Sequence, residues 1–594
     1  MGEPSIEILP AGRKVNKRLD SWKEIAAYLN RDITTVQRWE KREAMPVHRH
    51  QHAKRGSVYA LAHELDAWVA SRRLRVDEAG FLPANALPAA ADDSRGTALP
   101  WARLALVSAL ILLLAAVSWL ALRSRSPAPA APAAARIGSI AVLPLRNLSG
   151  DPSQDYLADG ITEALIGSLS GIHNLRVTSH TSVLRFRNTQ LSSPEIAKML
   201  GVDALVEGSV IRDESRIRVT AQLIRGATDE HFWSETYDRD MRDALALESD
   251  LARTIADKVE VTVTGDERQR LAAARPVAPE VYESYLQGRF ELDQGNTRAS
   301  LEQSVADFEA AVHRDPDFAP AYLGLARAYA NLGTVYAGES PAETRPKEIR
   351  FARQALALDP NLVLAHVLLA STLQREWHWT EAETEYHRAL DLNSNDATAH
   401  AGFAAWLSCQ GRTDEAIAQI RFARQLDPAT ISGASVAWIL FQSHHFDEAV
   451  REARSAVAVA PDDANNLLTL GFALIADHQA AEAVPLLEKA VALSKGSPAA
   501  TGVLIRAYAH AGRRADALRT LASLHARRNQ GYVPAGAFVN AYLGLDDREQ
   551  AFYWIGQAYN EKSNILQFVK THPYFDPIRG DPRFADLVRR VGLS

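Results

Sequence analysis

The chain has 594 residues, too many for one hydrophobic core, so it should contain several domains. Its composition, 47% hydrophobic and 23% charged, is typical of a folded protein and excludes a largely disordered one. A single cysteine, Cys409, excludes an internal disulfide framework and a cysteine-based zinc site. Its Ala/Trp/Leu-rich surroundings indicate a small buried hydrophobe rather than a nucleophile.

Charge is distributed unevenly along the chain, whose formal net charge is −6. Residues 1–73 hold 14 Lys and Arg against 9 Asp and Glu, a net charge of +5, and the remainder carries −11. A basic head on an acidic body predicts an anionic partner for the head alone.

The head, residues 19–73, begins with two short predicted helices. Ser21 and Glu24 stand at capping-box spacing before an apolar stripe, and Asp32 can cap a second helix after the turn "NRD". Two short helices joined by such a turn can place the second one in the major groove of DNA. The predicted DNA-contacting residues are Thr34, Thr35, Gln37, Arg38, Lys41, Arg42, Arg49, Lys54 and Arg55.

A family resemblance supports this interpretation. The stretch "SWKEIAAYLNRDITTVQRWEKREAMPVHRH", followed by "KRGSVYALAHELDAWV", resembles the winged helix-turn-helix of the excisionase/MerR type, with Met45 where Leu is usual before Pro46. The resemblance implies base readout by Thr35, Gln37 and Arg38, and contacts of the later basic residues with the DNA backbone.

Two other interpretations of the head stay open. The second helix could be an ordinary charged helix on a protein-interaction domain. Histidines stand at every second position, at His48, His50 and His52. In a strand they would share one face, as metal ligands could, but no Cys or carboxylate accompanies them. A basic loop beside DNA is therefore the favoured interpretation of this segment.

A membrane span is predicted next. Residues 74–100 and 124–136 are rich in Ala and Pro and predict two linkers. Between them, residues 101–123 predict a transmembrane helix, because 104–122 is 19 residues without a charge, long enough for ~30 Å of hydrocarbon. The alternative is a buried core helix. A DNA-binding head would place the N-terminus in the cytoplasm and the rest in the periplasm, at a bacterial inner membrane.

Residues 137–265 alternate predicted strands and helices, which indicates a small α/β domain. The segments "IAVLPLRNLSGDPSQDYLADGITEALIGSLS" and "GVDALVEGSVIRDESRIRVTAQLI" resemble the FlgO/TolB-amino-terminal-like domain, which implies a fold but no ligand. "DPSQDYLADG" has the Asp content of a calcium loop but lacks the Gly and the distal Glu of an EF-hand, so helix capping is favoured.

Residues 279–594 repeat. Helix-ending positions recur at intervals of 44, 34, 34, 33 and 34, with an Ala five residues before each, where helices must approach closely. These positions are Pro316, Pro360, Ser394, Pro428, Pro461 and Lys495. The first interval indicates an insertion at "TVYAGESPAE". The pattern resembles the tetratricopeptide repeat, in about seven or eight copies, and implies a solenoid that binds a protein or peptide in its concave groove.

The predicted fold class is therefore multidomain, with a small winged helix-turn-helix, one transmembrane helix, a small α/β domain and an all-α tetratricopeptide-repeat solenoid. The sequence has no Walker A, G-x-S-x-G or H-E-x-x-H motif, so we predict no enzyme activity and no cofactor. The order of domains resembles the CadC/ToxR type of membrane-integrated regulator, which implies double-stranded DNA as a partner and a homodimer. The alternative is a membrane-anchored repeat scaffold for protein–protein assembly without direct transcriptional output.

Overall fold

The computed structural model divides into two compact units, Met1–Ala128 and Pro129–Ser594. The structure describes residues 18–19, 21–29, 36, 39–40, 45–49, 58–61, 64–65, 68, 137–213, 215–272, 276–294, 297–334 and 339–593. Both predicted linkers and the predicted membrane helix, within residues 74–136, lie outside the described residues.

Among its described residues, the first unit contains helix α1 and a small antiparallel sheet. Helix α1 (Trp22–Tyr28) begins where the Ser21 hydroxyl accepts a hydrogen bond from the Glu24 N–H, at 3.2 Å. The strands are β1 (Arg18–Leu19), β2 (His48–Arg49) and β3 (Val58–Leu61), in the order β1-β3-β2. The helix and the sheet share a core of Leu19, Ile25, Ala26, Val36, Met45, Val58, Ala60 and Leu65.

Residues 137–272, which we call the sheet domain, contain a mixed sheet. Its strands are β4 (Ser139–Val142), β5 (Arg146–Asn147), β6 (Arg176–Val177), β7 (Ala204–Asp213), β8 (Arg216–Arg225) and β9 (Glu230–Asp240). The order is β6-β4-β7-β8-β9, and β5 pairs with β7. Strand β4 is parallel to β6 and β7, whereas β8 is antiparallel to both its neighbours.

The helices of the sheet domain bury its apolar side. They are α2 (Asp155–Ser170), α3 (His180–Leu184), α4 (Ser193–Leu200), α5 (Ala244–Lys258) and α6 (Gly265–Ala272). Leu157 and Leu165 of α2 join Leu247 and Leu251 of α5 in one core with the sheet. Asp151 caps the turn before α2 by accepting the Ser153 N–H at 2.9 Å, so the capping interpretation of "DPSQDYLADG" is confirmed.

Eight helix pairs follow in the described part of residues 276–560, and we call them the repeat array. They are α7 (Pro279–Gln294) with α8 (Arg298–Arg314), α9 (Ala319–Leu332) with α10 (Pro341–Leu358), α11 (Val363–Arg375) with α12 (Trp379–Leu392), α13 (Ala397–Gln410) with α14 (Thr413–Leu426), α15 (Gly433–Gln442) with α16 (Phe446–Val459), α17 (Ala464–Ala476) with α18 (Ala480–Leu493), α19 (Pro498–His510) with α20 (Arg514–Arg528), and α21 (Ala535–Gly544) with α22 (Arg548–Asn560).

Small residues let the paired helices approach closely, as the sequence pattern predicted. Ala389 and Ala423, each five residues before a helix-ending position, are fully buried. Glycine has the same role at Gly402, where a Cβ atom would lie 2.6 Å from the ring of Tyr386. The predicted repeat is therefore confirmed, and residues 335–338 of the predicted insertion lie outside the described residues.

The turn inside each of the middle pairs contains a left-handed residue. The φ angle is 65° at Trp377, 78° at Gly411 and 61° at His444. At the end of α11, the N–H of His378 bonds to the Leu373 carbonyl, which is the Schellman ending of a helix. These turns have a fixed geometry, and they lie where a later part of the chain packs.

That later part consists of residues 562–593, which we call the tail. It contains two 3-10 turns, Asn564–Phe568 and Pro573–Ile578, and the final helix α23 (Pro582–Val591). The tail carries none of the 34-residue spacing that marks the array.

The predicted fold class and localisation need correction. Among the helices that the structure describes, none combines the length and the apolar character needed to cross a bilayer. The longest, α10, has 18 residues and includes charged side chains such as Arg345 and Glu348. The fold that these residues adopt is a mostly helical solenoid of tetratricopeptide type with a small sheet, and no described helix supports the predicted single-pass placement in an inner membrane.

Candidate functional site: two surfaces of the repeat array

Of the nine predicted DNA-contacting residues, the structure describes only Arg49. Thr34, Thr35, Gln37, Arg38, Lys41, Arg42, Lys54 and Arg55 lie outside the described residues. The main chain of Arg49 pairs with Val58 in the β2–β3 hairpin. His48 is stacked on Tyr59, and its Nε2 lies 2.8 Å from the Glu64 carboxylate, while His50 and His52 are outside the described residues.

The tail covers the surface formed by the first helices of the pairs, which we call the inner surface of the array. Residues Asn564–Phe568 pack against α11 and α13, the first helices of the third and fourth pairs. The tail then passes α15 and α17 and ends beside Trp379, at the start of α12. The concave groove predicted to hold a protein or peptide therefore holds part of the same chain.

Side chains of the array hold the tail by its main chain. Arg345 of α10 donates to the Lys562 carbonyl at 2.9 Å. The indole N–H of Trp379 donates to the Val591 carbonyl at 2.8 Å, and His444 lies 3.1 Å from the Thr571 carbonyl. Bonds to carbonyl oxygens fix the path of the main chain but do not select its side chains.

Between these hydrogen bonds, aromatic side chains of the tail are buried against the array. Phe575 and Tyr574 of the tail are buried, and the Tyr574 hydroxyl donates to the Phe472 carbonyl at 3.2 Å. The Arg506 guanidinium lies 3.7 Å from the centre of the Tyr574 ring. Burial lowers the pKa of Arg506 to about 10, so it stays charged at neutral pH and this contact is a cation–π pair.

The start of the tail is fixed by charge. Lys562 Nζ lies 2.6 Å from a Glu376 oxygen, and Arg345 Nη1 lies 3.0 Å from the other oxygen. Burial by itself would raise the pKa of Glu376, but hydrogen bonds from Lys562 and Arg345 outweigh it, and the pKa is lowered. The carboxylate is therefore ionised at neutral pH and bridges two cations.

A second surface lies where the second helices of the pairs end, and we call it the docking edge. Its equivalent positions are Leu358, Leu392, Leu426, Val459 and Leu493. The sheet domain covers the edge beside the third and fourth pairs. Arg176 donates to the Leu426 carbonyl at 2.8 Å, and Asn395 donates to the His173 carbonyl at 2.9 Å.

A buried carboxylate completes this contact. Asp427 accepts the Ser182 hydroxyl at 2.7 Å and the Ser179 N–H at 3.3 Å. The Ser179 hydroxyl lies 2.7 Å from that of Thr430. Burial alone would raise the pKa of Asp427, but the bonds from Ser179 and Ser182 lower it further than burial raises it.

The edge is open at other pairs. Leu392 and Leu426 are 7% exposed, whereas Val459 is 83% and Leu493 is 42% exposed at the equivalent positions. The array thus offers one surface that is already occupied and one that is only partly covered. Sequence periodicity placed these residues at helix ends but contained no signal for what covers them.

Cys409, the single cysteine, is buried as predicted, and burial raises the pKa of its thiol well above the usual value. The thiol is therefore protonated at neutral pH. Gln374 Nε2 lies 3.4 Å from its sulfur, inside the array.

Comparisons with known proteins agree with this architecture. A family model described as tetratricopeptide repeat matches residues 474–533, which run from α17 to the end of α20 and the following turn. The curated "putative adenylate cyclase 3" of Rhizobium meliloti (strain 1021) is 34% identical over 253 residues, 41% of this chain. The chain spans only 42% of the length of that relative.

Solved structures of repeat proteins are also similar to this chain. A tetratricopeptide-repeat protein of Thermus thermophilus has 19% identity and a TM-score of 0.28, covering 33% of this chain and 99% of its own. The human IFIT1 dimer with m7Gppp-AAAA has 17% identity and a TM-score of 0.39, covering 58% of this chain and 77% of its own. The C-terminal half of the chain contains tetratricopeptide repeats.

Proposed function

We propose that this chain is a scaffold whose tetratricopeptide repeats bind a protein partner at the open part of the docking edge. The observation that carries the proposal is the contrast along that edge. Its third and fourth pairs already hold a folded domain, and the equivalent apolar positions of the fifth and sixth pairs, Val459 and Leu493, are exposed.

The inner surface is a poor candidate for the same partner. Leu566, Val569 and Phe575 of the tail are fully buried there. Burying three such side chains contributes roughly 5–9 kcal/mol, which is comparable with a micromolar interaction of about 8 kcal/mol. A partner of ordinary affinity would have to give up its binding energy to expel the tail.

The covered edge indicates the chemistry of the partner. The sheet domain meets it with a guanidinium and hydroxyl groups, directed at main-chain carbonyls and at Asp427. Beside Val459, Asp462 is exposed and lies 2.7 Å from Lys489 Nζ. We therefore expect a protein surface with an apolar side chain flanked by basic or hydroxyl donors.

Site-specific photo-crosslinking tests this proposal. A photoreactive residue placed at 459 in the full chain, in its native cells, should capture one protein. That protein, purified, should bind Val459→Asp and Leu493→Asp at least about tenfold more weakly than the wild type. Leu518→Asp, an exposed leucine of α20 outside the docking edge, is the control and should bind normally. Equal binding by all variants, or no captured protein, would overturn the proposal.

The scaffold acts without catalysis in this proposal. The relative named as an adenylate cyclase shares only part of its length with this chain. Purified full chain incubated with ATP and Mg²⁺ or Mn²⁺ should form no cyclic AMP above a boiled control. Cyclic AMP formation that scales with protein concentration would contradict a non-catalytic scaffold.

A second candidate function is DNA binding by the first unit. It is favoured by the β2–β3 hairpin, which shares a core with α1 and carries Arg49 in its first strand. The full chain should enrich specific sequences from a random duplex library, and Gln37→Ala and Arg38→Ala should abolish the enrichment. No enrichment, or the same enrichment by both variants, would rule this function out.

A further inference from the structure

A cavity of about 290 Å³ lies between the sheet domain and the first helices of the array. It is enclosed by α2 and α3 from the sheet domain and by α7 from the array. Arg327 of α9 reaches the same group of side chains. Neither the tail nor the docking edge contributes to this cavity.

The cavity is lined by charges that balance. Arg187 is paired with Asp159, and Arg289 is paired with Glu163. Arg327 supplies a third guanidinium, 3.3 Å from Glu163 and 3.5 Å from the third carboxylate, Asp293. Three guanidinium groups thus face three carboxylates.

Among the described residues, two buried polar atoms in this lining have neither a hydrogen bond nor an ion pair. Arg289 is 5% exposed, and its Nε has no hydrogen-bond partner among the described residues. The same holds for Nε2 of His180 within the described part of the chain. Burial lowers the pKa of His180, so its ring is neutral at pH 7. Buried polar groups left unpaired are costly, which indicates that something else satisfies these two atoms.

Their chemistry is complementary. His180 Nδ1 lies 3.8 Å from both Glu163 and Asp293 carboxylate oxygens, so a neutral ring that keeps its proton on Nδ1 leaves Nε2 as an acceptor. The Nε of Arg289 is a charged donor. A molecule that fills the cavity must therefore offer an acceptor to one atom and a donor to the other.

The balance of charge selects among ligands. Glu163, His180 and Asp293 offer metal-ligand atoms within 4.8 Å of one another. Both carboxylates are already neutralised by Arg289 and Arg327, so a divalent cation would add two uncompensated charges. A simple anion would face three carboxylates. A zwitterion leaves the total charge unchanged.

We propose that this cavity binds a small zwitterionic molecule of the amino-acid class. Its carboxylate accepts from Arg289 Nε, its ammonium group donates to His180 Nε2 and to the Asp293 carboxylate, and its side chain lies against Phe290. The volume, about 290 Å³, lies just below the usual range for ligand pockets of about 300–1,000 Å³, which favours a small molecule. Because the lining comes from both the sheet domain and the array, the bound molecule joins the two.

The test uses the purified, untagged full chain at pH 7. Calorimetry with each of the twenty amino acids should show at least one that binds saturably and raises the melting temperature. Its decarboxylated amine and its N-acetyl derivative should bind at least about tenfold more weakly, because each removes one charge-assisted contact. This comparison of ligands uses only the wild-type chain, so a folding defect in a variant cannot affect it.

Variants assign the binding to the cavity. Arg289→Lys keeps the charge but loses the Nε donor, and His180→Gln removes the imidazole; both should weaken binding about tenfold. The matched control is Arg353→Gln, an exposed arginine of α10, which should bind normally. No binding by any amino acid, unchanged binding in both cavity variants, binding of Mn²⁺ or Zn²⁺ that is lost in His180→Gln, or binding of phosphate alone would each overturn the proposal.

Discussion

The tail and the sheet domain both pack against the repeat array, but the two contacts differ in chemistry. Beyond its charged start at Lys562, the tail buries aromatic side chains such as Tyr574 and Phe575, and its one buried imidazole, His572, is kept neutral by burial. The sheet domain meets the array through ionised groups, with Asp427 at the docking edge and Arg289 at the cavity. An apolar contact is insensitive to pH and salt, whereas a contact built from ions and hydroxyl groups can respond to both. We infer that the tail is a permanent part of the array and that the junction with the sheet domain is its adjustable part.

The largest expected effect is on the tail. Phe575→Ala removes a fully buried ring and should lower the free energy of unfolding by about 3–5 kcal/mol. Phe422→Ala, which removes an exposed ring on α14, should cost less than about 1 kcal/mol. Urea unfolding followed by circular dichroism measures both. Equal losses for the two variants would mean that the tail is not part of the permanent core.

The next effect concerns pH at the junction. Burial raises the pKa of Glu248 in α5 to about 8, although a hydrogen bond from Tyr282 of α7 lowers it in part. The folded pKa lies above the unfolded one, so this group stabilises the fold at low pH, and the contribution is lost as pH rises towards 8. Stability should fall as pH rises between about 4.5 and 8, by about 1 kcal/mol per pH unit.

Glu248→Gln should remove that slope and leave the stability at pH 5 almost unchanged. Glu302→Gln, on the exposed side of α8, is the matched control and should keep the slope. Urea midpoints at pH 5, 6, 7 and 8 give the comparison. A slope that persists in Glu248→Gln would place the pH response elsewhere.

The docking edge should respond in the opposite direction. The pKa of Asp427 is lowered in the folded chain, so its stabilisation is present at neutral pH and is lost as pH falls through its folded pKa. Asp427→Asn weakens charge-assisted bonds from Ser179 and Ser182 and should cost about 1–2 kcal/mol at pH 7. Faster hydrogen exchange over residues 176–184 is the specific signal, and Asp462→Asn, at an exposed position, should leave that segment unchanged.

These contrasts separate what is readable in a sequence from what is not. The repeats were predictable because each helix pair needs small residues at a fixed spacing. Ala389 and Ala423 are two of these residues, and both are buried. The position of the tail was not predictable, since Arg345 and Lys562 are 217 residues apart. Its sequence, "THPYFDPIRGDPRF", shows aromatic density without period, which marks a buried segment but not its partner.

The cavity was missed for a related reason. Glu163, His180 and Asp293 stand at irregular spacing and meet only because α2, α3 and α7 pack together. The membrane helix was predicted from the charge-free run 104–122 and the linkers on either side of it, and all of these lie outside the described residues. In the same way, the predicted groove ligand followed from the repeat type, whereas the tail that fills the groove follows from tertiary contacts.

The smallest expected effect lies on the outer face of the array. Arg454 of α16 is paired with Glu482 of α18 at 2.9 Å, and both side chains are about half exposed. Water screens such a pair, and holding two long side chains costs entropy, so its coupling energy should be below about 1 kcal/mol. A double-mutant cycle with Arg454→Ala and Glu482→Ala in urea measures it, and 1 M salt should reduce it further. A coupling energy as large as the loss in Phe575→Ala would show that ion pairs between neighbouring helix pairs stabilise the array as strongly as the tail does. The division between a permanent apolar contact and an adjustable polar contact would then no longer hold.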